Sequence, residues 1–178
     1  MTRRIFCALG ALGALSLAGC AGPGINEYAG EKPQLDLRAY FDGRVDGWGI
    51  FTDRSGKVVK RFIVRMECTW QGDDGVLDED FTYSDGTKQR RIWRVRRGPD
   101  GAYTGQADDV VGTATGQARG NALRWNYTLA LPVEGRVWHV QMDDWMYLMD
   151  DRVMLNKTTM TKFGVRLGEV TLSFTKRP

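Results

Sequence analysis

Apolar and polar side chains alternate along most of the chain beyond residue 40. In residues 62–70 every even position is apolar and most odd positions are polar, and residues 123–131 repeat the alternation with the apolar set on odd positions. A period of two is typical of antiparallel strands with one buried face. Glycine-containing turn pairs separate the runs. The pattern predicts strands near 45–52, 58–70, 75–83, 88–97, 102–107, 110–118, 121–132, 136–149, 152–162 and 165–175.

Short hairpins join these strands, and no helix covers a face of the sheet, which favours a sheet that closes on itself. We therefore predict an all-β fold, an antiparallel up-and-down barrel of about ten strands that is lipocalin/calycin-like, with a β-sandwich as the alternative. Charged residues on the outward strand positions disfavour a transmembrane barrel. Residues 35–41 are predicted to form a short helix. The apolar phase slips at Gly168, which predicts a β-bulge in the last strand.

The start of the chain follows a different pattern. Arg3 and Arg4 precede an uncharged apolar run over residues 5–17, shorter than the roughly 20 residues that a membrane-spanning helix needs. This pattern predicts a signal peptide over residues 1–19. Residues 17–20, Leu-Ala-Gly-Cys, resemble the bacterial lipobox, which implies cleavage before Cys20 and lipidation of its sulfur. The alternative is an ordinary signal peptide that contains a cysteine.

The same region bears on export and location. Residues 2–6 partly resemble a twin-arginine signal, although Cys7 and Ala8 depart from it, so general and twin-arginine export both stay open. Alanine at position 21 resembles the sorting pattern of lipoproteins that pass to the outer membrane. We expect an outer-membrane lipoprotein that faces the periplasm, with the inner membrane less favoured. Residues 20–34 would form the lipidated cysteine and a flexible tether, and residues 35–178 the barrel domain.

Composition excludes several classes of function. Removal of Arg3 and Arg4 from the 25 basic residues leaves 23 against 22 acidic ones, which argues against nucleic-acid binding. Besides the lipidated Cys20, the domain would keep only Cys68, so no intramolecular disulfide is expected. With His139 as the single histidine and no Gly-x-Ser-x-Gly sequence, a zinc site or a nucleophile–base pair is difficult to build. We therefore expect no enzyme activity, no cofactor and no metal.

Several short motifs between residues 35 and 174 occur in order and cover nearly all of the mature domain. They are GWGIF at 47–51, DRSGK at 53–57, TW at 69–70, ADDVVG at 107–112, DDWMYL at 143–148, FG at 163–164 and GE at 168–169. With them the chain resembles a family of Gram-negative lipoproteins classed as a domain of unknown function. The resemblance implies a lipocalin-like β fold. Genes of this family often lie near genes of fatty-acid or cyclopropane-lipid modification, which favours a lipid as the ligand. No catalytic residues are implied.

Residues 143–148 combine two acids with aromatic side chains. On a strand, either Asp143 or Asp144 must point inward, and a buried carboxylate needs a partner. That partner could come from a neighbouring strand: Arg94, Asn156 or Lys157. The inward aspartate either anchors a ligand headgroup or belongs to a hydrogen-bond network that fixes strand register, and the second role is preferred.

The basic stretch 88–97 carries six cationic residues. It either contacts anionic lipid headgroups or forms a solvated strand paired with the acids at positions 78–80, the second being preferred.

Aromatic residues provide the strongest indication of function. A stripe predicted to point inward either fills the barrel or lines a cavity: Trp48, Phe62, Phe81, Trp125, Tyr127, Trp138, Trp145 and Tyr147. The candidate ligand-binding residues are Trp48, Phe81, Trp125, Tyr127, His139, Asp144, Trp145 and Tyr147. The preferred function is binding of an apolar ligand such as a fatty acid or lipid, with the membrane as a further partner through lipid on Cys20. A structural or assembly partner with a solid barrel, and a lipid-acting enzyme using Asp143 or Asp144 as acid or base, are the alternatives.

Overall fold

The computed structural model describes residues 22–178, so the predicted signal peptide and Cys20 lie outside the described residues. A 3₁₀ helix (Ile25–Tyr28) and helix α1 (Leu37–Tyr40) come first, and a 3₁₀ turn (Pro99–Gly101) lies further along the chain. The ten strands are β1 Gly43–Asp53, β2 Val58–Gln71, β3 Asp74–Tyr83, β4 Lys88–Arg97, β5 Ala102–Gln106, β6 Val110–Arg119, β7 Ala122–Val133, β8 Arg136–Leu148, β9 Val153–Lys162 and β10 Val165–Lys176. Every predicted strand is present, with its ends within two residues of the prediction.

The strands form one closed antiparallel barrel. Each strand pairs with its neighbours in sequence, and β1 pairs with β10 to complete the ring. The predicted barrel is therefore confirmed. The sandwich alternative is wrong because each strand is paired on both of its edges, in a single closed sheet. Buried side chains occupy even positions of β2, β8 and β9 and odd positions of β3, β4 and β7. This alternation places the core inside the barrel.

The predicted bulge is present in β10. Pairing with β9 shifts between Arg166 and Gly168, so that Leu167 is the extra residue. A Cβ atom on residue 168 would lie 2.7 Å from Phe51 Cε2 and would overlap the carbonyl oxygen of Thr52. The close approach of β1 therefore requires glycine at this position.

Helix α1 closes one end of the barrel. The Asp36 carboxylate caps the helix by accepting hydrogen bonds from two backbone N–H groups of its first turn. Leu37, Tyr40 and Phe41 are buried against the strands. Trp70 Nε1 donates to the carbonyl oxygen of Phe41 at 2.7 Å and holds the end of the helix against β2. This end is the closed end of the barrel.

Residues 22–34, the described part of the predicted tether, contact the outer wall of the barrel. The Tyr28 ring lies 5.6 Å from the Trp145 ring and 5.5 Å from the Tyr147 ring. The segment then passes the β6–β7 turn, where Leu35 N donates to the carbonyl oxygen of Gly120 at 2.7 Å.

Residues 22–178 form a self-contained fold. The closed ring of ten strands and helix α1 at its end are contained within these residues, so this part of the chain holds a complete barrel. Among its helices, none has the length and apolar character required to cross a membrane.

Candidate functional site

The barrel interior contains a cavity of about 650 Å³, a size typical of small-molecule sites. Leu37 and Phe41 form its floor at the closed end. At the opposite end, called the open end, the cavity is bordered by Lys60, Lys88 and Pro132. These residues lie close to the β1–β2, β3–β4 and β7–β8 hairpins. A ligand would therefore enter and leave by the open end.

Aromatic side chains form much of the cavity wall. Trp93 meets Trp125 edge to face at a centroid distance of 5.7 Å and Tyr127 at 5.3 Å. On β2 and β3, the Phe62 and Phe81 rings are 5.7 Å apart. Aliphatic residues and methionines of β7–β10 complete the lining. Most of the surface that a ligand would meet is therefore apolar.

An ion pair interrupts this apolar lining. The Arg91 guanidinium donates from Nε to Asp109 Oδ1 at 3.0 Å and from its terminal nitrogen to Asp109 Oδ2 at 2.6 Å. The guanidinium also lies over the Phe81 ring, 5.7 Å from its centroid. Gln89 Nε2 approaches Asp109 Oδ2 at 3.5 Å and extends the network towards Tyr83, whose hydroxyl donates to Gln89 Oε1 at 2.9 Å. The charge of Arg91 is therefore already balanced by a carboxylate of the chain.

Glu79 is a buried polar residue whose hydrogen bonding is incomplete. Its side chain lines the cavity, the residue is 8% exposed, and it stands opposite Arg91 in the pairing of β3 with β4. Within residues 22–178, the Oε2 atom has no hydrogen-bond partner. Burial raises the pKa of Glu79 to about 7, against the opposing influence of the Arg91 charge. Near neutral pH this carboxyl can therefore accept or donate a hydrogen bond.

Asp144 is the second buried carboxyl, and it has partners. Asn156 Nδ2 and Thr158 Oγ1 both donate to Asp144 Oδ1, the second at 3.0 Å. Burial raises the pKa of Asp144 to about 6, while these two donors act in the opposite direction. The contacts join β8 to β9, which matches the predicted register-fixing network and the predicted partner Asn156.

No cluster of three or more potential metal ligands occurs in the part of the chain that the structure describes.

The family described as protein of unknown function (DUF3833) matches residues 14–176 of this sequence. The chain belongs to this family. Among curated proteins, none matches the sequence. The expected membership of a family of unknown function is thereby confirmed.

The fold of this DUF3833 member is similar to a solved structure, the S-type phycobiliprotein lyase CPES from Guillardia theta. The TM-score is 0.59 at 6% sequence identity, and the match covers 88% of this chain and 98% of that chain. At this identity the likeness concerns the fold, a lipocalin-like barrel.

The cavity of this DUF3833 member includes half of the candidate ligand-binding residues. Phe81, Trp125, Tyr127 and Asp144 line it, as does Phe62 of the predicted inward stripe. His139 is exposed near the open end and does not line the cavity, so its prediction as a ligand-binding residue is not supported.

Four aromatic residues predicted to point inward do not line the cavity. Trp48 is 50% exposed on the outer wall, because the inward positions beside it are Gly47 and Gly49. Trp145 and Tyr147 are adjacent to inward residues of β8, so the alternation directs them outward to Tyr28. Trp138 is 40% exposed at the open end, beyond the part of β8 that pairs with β9. The inward prediction was wrong for these residues.

The basic side chains of strand β4 lie on both faces of the barrel wall. Arg90 and Arg96 point outward and pair with Asp78 and Asp74, in agreement with the predicted solvated strand. Arg91 points inward, which the sequence analysis missed. Its position two residues before Trp93 was the available signal, since residues two apart on a strand share a face. Glu79 shares the inward face of β3 with Leu77 in the same way.

Proposed function

We propose that this protein is a membrane-anchored barrel that binds an apolar small molecule of the lipid class, such as a fatty acid, with its polar group near Glu79. The observation that carries the proposal is the Glu79 carboxyl, buried in a largely apolar cavity with an oxygen that has no hydrogen-bond partner among residues 22–178. A buried polar atom left without a partner is costly, and a ligand that supplies one gains from that arrangement. The similarity in fold to the phycobiliprotein lyase is consistent with a ligand-binding barrel.

The charges in the cavity define the ligand headgroup. Arg91 is occupied by Asp109, so its guanidinium is not free to bind a carboxylate, and the lysines that border the cavity, Lys60 and Lys88, lie at the open end. A fatty-acid carboxylate would instead accept a hydrogen bond from protonated Glu79, whose pKa of about 7 permits this below neutral pH. A neutral hydroxyl headgroup could donate to ionised Glu79 or accept from the protonated form, and it would bind in both states.

Anchoring at Cys20 is the second part of the proposal. The Leu-Ala-Gly-Cys sequence after a short apolar run supports it. Alanine at position 21 supports an outer-membrane location with the barrel in the periplasm. Lipid anchoring would keep the barrel beside a membrane that contains molecules of the proposed ligand class.

The experiment is purification from a Gram-negative host without detergent, followed by organic extraction and mass spectrometry. We expect an apolar molecule bound to the wild-type protein and a smaller amount bound to Glu79→Leu. Glu67→Leu on the exposed face of β2 is the matched control. An extract free of small molecules, with no response of tryptophan emission to added fatty acids or alcohols, would contradict the proposal and favour the structural-partner hypothesis.

The pH dependence of binding tests the role of Glu79 directly. Affinity for a fatty acid should fall as the pH rises through about 7, because ionised Glu79 then faces the ligand carboxylate. Affinity for the alcohol of equal chain length should change little. Glu79→Gln, which keeps the shape without the ionisation, should remove the difference between the two probes. Trp93 and Trp125 line the cavity, so their fluorescence can report binding. An equal decline for both probes would show that the headgroup is elsewhere.

A further inference from the structure

Exposed apolar side chains concentrate at the open end of the barrel. Three hairpins, β1–β2, β9–β10 and β7–β8, are neighbours around the ring because β1 pairs with β10, and β9 lies between β10 and β8. Together they form what we call the rim surface. Among residues 22–178, thirteen large hydrophobic residues are exposed, and seven of them belong to the rim surface: Val58, Val59, Val133, Val137, Trp138, Phe163 and Val165. Such a concentration of apolar side chains is typical of an interaction surface.

Phe163 is the most exposed residue of the rim surface. Its exposed fraction is 89%, and with Gly164 it forms the tip of the β9–β10 hairpin. Both tip residues have positive φ, 51° at Phe163 and 76° at Gly164. A two-residue turn of this kind favours Asn, Asp or Gly at its first position, and a bulky residue there is disfavoured. The turn itself therefore does not explain a phenylalanine held in solvent.

Basic residues surround this apolar surface. The hairpin segments 53–61, 133–139 and 161–169 contain seven basic and three acidic residues: Arg54, Lys57, Lys60, Arg61, Arg136, Lys162 and Arg166 against Asp53, Glu134 and Glu169. Within the described residues, Lys60 pairs with Asp85 and Arg166 with Glu169, whereas the other five form no ion pair. Lys162 lies over both the Trp138 and the Phe163 rings, at 4.7 and 4.9 Å. Exposed aromatics next to unpaired cations match the interface of an anionic bilayer.

The path of the N-terminal segment agrees with an orientation in which the rim surface faces a membrane. From α1 at the closed end, the segment runs back along the outer wall through Tyr28 to Gly22, which lines the same surface pocket as Lys157 and Thr159 of β9. Beyond Thr159, β9 continues to the Phe163 hairpin at the open end. Only Ala21 separates Cys20 from Gly22, and an extended chain covers about 3.5 Å per residue. A lipid on Cys20 would therefore be attached on the side of the barrel that leads to the rim surface.

We propose that the rim surface docks on an anionic phospholipid bilayer, with Phe163 and Trp138 inserted at the interface and the unpaired basic residues on lipid phosphates. The open end of the cavity then faces the bilayer, so that a lipid ligand can pass between membrane and barrel without crossing water. The docking does not depend on the identity of the ligand, and it adds a second membrane contact to the proposed anchor.

The test uses the self-contained segment 22–178, which excludes Cys20 and separates docking from anchoring. Co-sedimentation is measured with vesicles of phosphatidylethanolamine and phosphatidylglycerol and with vesicles of phosphatidylcholine alone. We expect binding to the anionic vesicles that weakens with added salt. Phe163→Asn places a favoured residue in the turn, so the fold should be kept, and vesicle partitioning should fall about tenfold through loss of the inserted ring. A double change, Arg136→Gln with Lys162→Gln, should cause a loss of about tenfold.

Two control variants lie away from the rim surface. Met149→Asn removes a residue that is 53% exposed in the β8–β9 connection at the closed end, and Arg38→Gln removes an exposed charge on α1. Both should bind vesicles like the wild type. Equal losses in rim and control variants, or no binding of the wild type to anionic vesicles, would overturn the proposal.

Self-association is the competing use of the same surface. Sedimentation velocity without vesicles should show a monomer, and a dimer that Phe163→Asn dissociates would identify the rim surface as a contact between copies and overturn docking. Ligand retention in the cavity is measured independently, so failure of docking and failure of ligand binding are distinguishable.

Discussion

Two carboxyls inside the barrel, Glu79 and Asp144, differ in how their burial is compensated. Asp144 receives two hydrogen bonds from β9, whereas one oxygen of Glu79 has no partner among the described residues. Removing a carboxylate from water without full replacement of its hydrogen bonds is unfavourable, and the pKa of each group rises as a result. The sequence indicated that one of two adjacent aspartates points inward. It did not indicate Glu79, because a glutamate within a charged strand segment is usually solvated.

The first prediction concerns pH and the Glu79→Gln variant. Burial raises the pKa of Glu79 from 4.5 to about 7, so between these values the folded protein binds more protons than the unfolded chain. The free energy of unfolding should therefore fall as the pH rises through this window, by roughly 3 kcal/mol at most for this group. Asp144, with its pKa raised to about 6, contributes in the same direction.

Urea denaturation near pH 5 and pH 8 provides the measurement. Relative to wild type, Glu79→Gln should gain stability on going from the lower to the higher pH. The control Glu67→Gln, on the exposed face of β2, should follow the wild type. If both variants keep the wild-type pH dependence, Glu79 does not have the raised pKa that burial implies.

At the scale of elements, the period of two predicted the strands well and the faces less well. Strand positions follow from alternation and from turn residues, which are local properties of the chain. The inward face of β1 was misassigned because it is formed by glycines: a Cβ on Gly49 would overlap the Phe62 ring, so Trp48 occupies the outer wall. On β8 the aromatic side chains were attributed to the interior although the inward positions hold methionines and Asp144. Only the packing across the barrel resolves these choices.

The second prediction belongs to the bulge in β10. Gly168→Ala places a methyl group against Phe51 and the Thr52 carbonyl, which should lower the free energy of unfolding by about 1–3 kcal/mol. Gly98→Ala is the matched control, since its Cβ would meet nothing closer than 3.5 Å and its φ of −108° suits alanine. Thermal unfolding of the two variants should differ clearly. Equal melting temperatures would mean that β1 and β10 separate without cost at the bulge.

At the scale of the whole molecule, a barrel closed at one end carries the segment 22–34 on its outer wall. The architecture followed from the sequence because ten short strands without covering helices have few other ways to bury their apolar faces. The cavity could not be predicted from the sequence, because the same inward aromatic residues can either fill a barrel or line a space inside it. Which of the two occurs depends on how side chains from all ten strands pack together. The proposed location rests on residues 2–21, which lie outside the described residues.

The third prediction tests that location. In a Gram-negative host, the wild-type protein should fractionate with the outer membrane and carry acyl chains on its N-terminal cysteine. Cys20→Ser should abolish the acyl mass and release the protein from tight membrane association, leaving the weaker, salt-sensitive contact of the rim surface. Cys68→Ser is the control for loss of a thiol. Recovery of the wild type as an unmodified protein with its N-terminus at another residue would refute the anchor.

The buried cysteine on β2 allows the lipidation of Cys20 to be measured by thiol labelling. Cys68 is 3% exposed, and burial raises its pKa to about 12. Its thiol therefore stays protonated and shielded from alkylating reagents as long as the barrel is folded. In the native mature protein, maleimide should consequently give one adduct if Cys20 is free and none if its sulfur carries lipid. Addition of urea should then expose Cys68 and add one adduct in either case, which calibrates the count within the same sample.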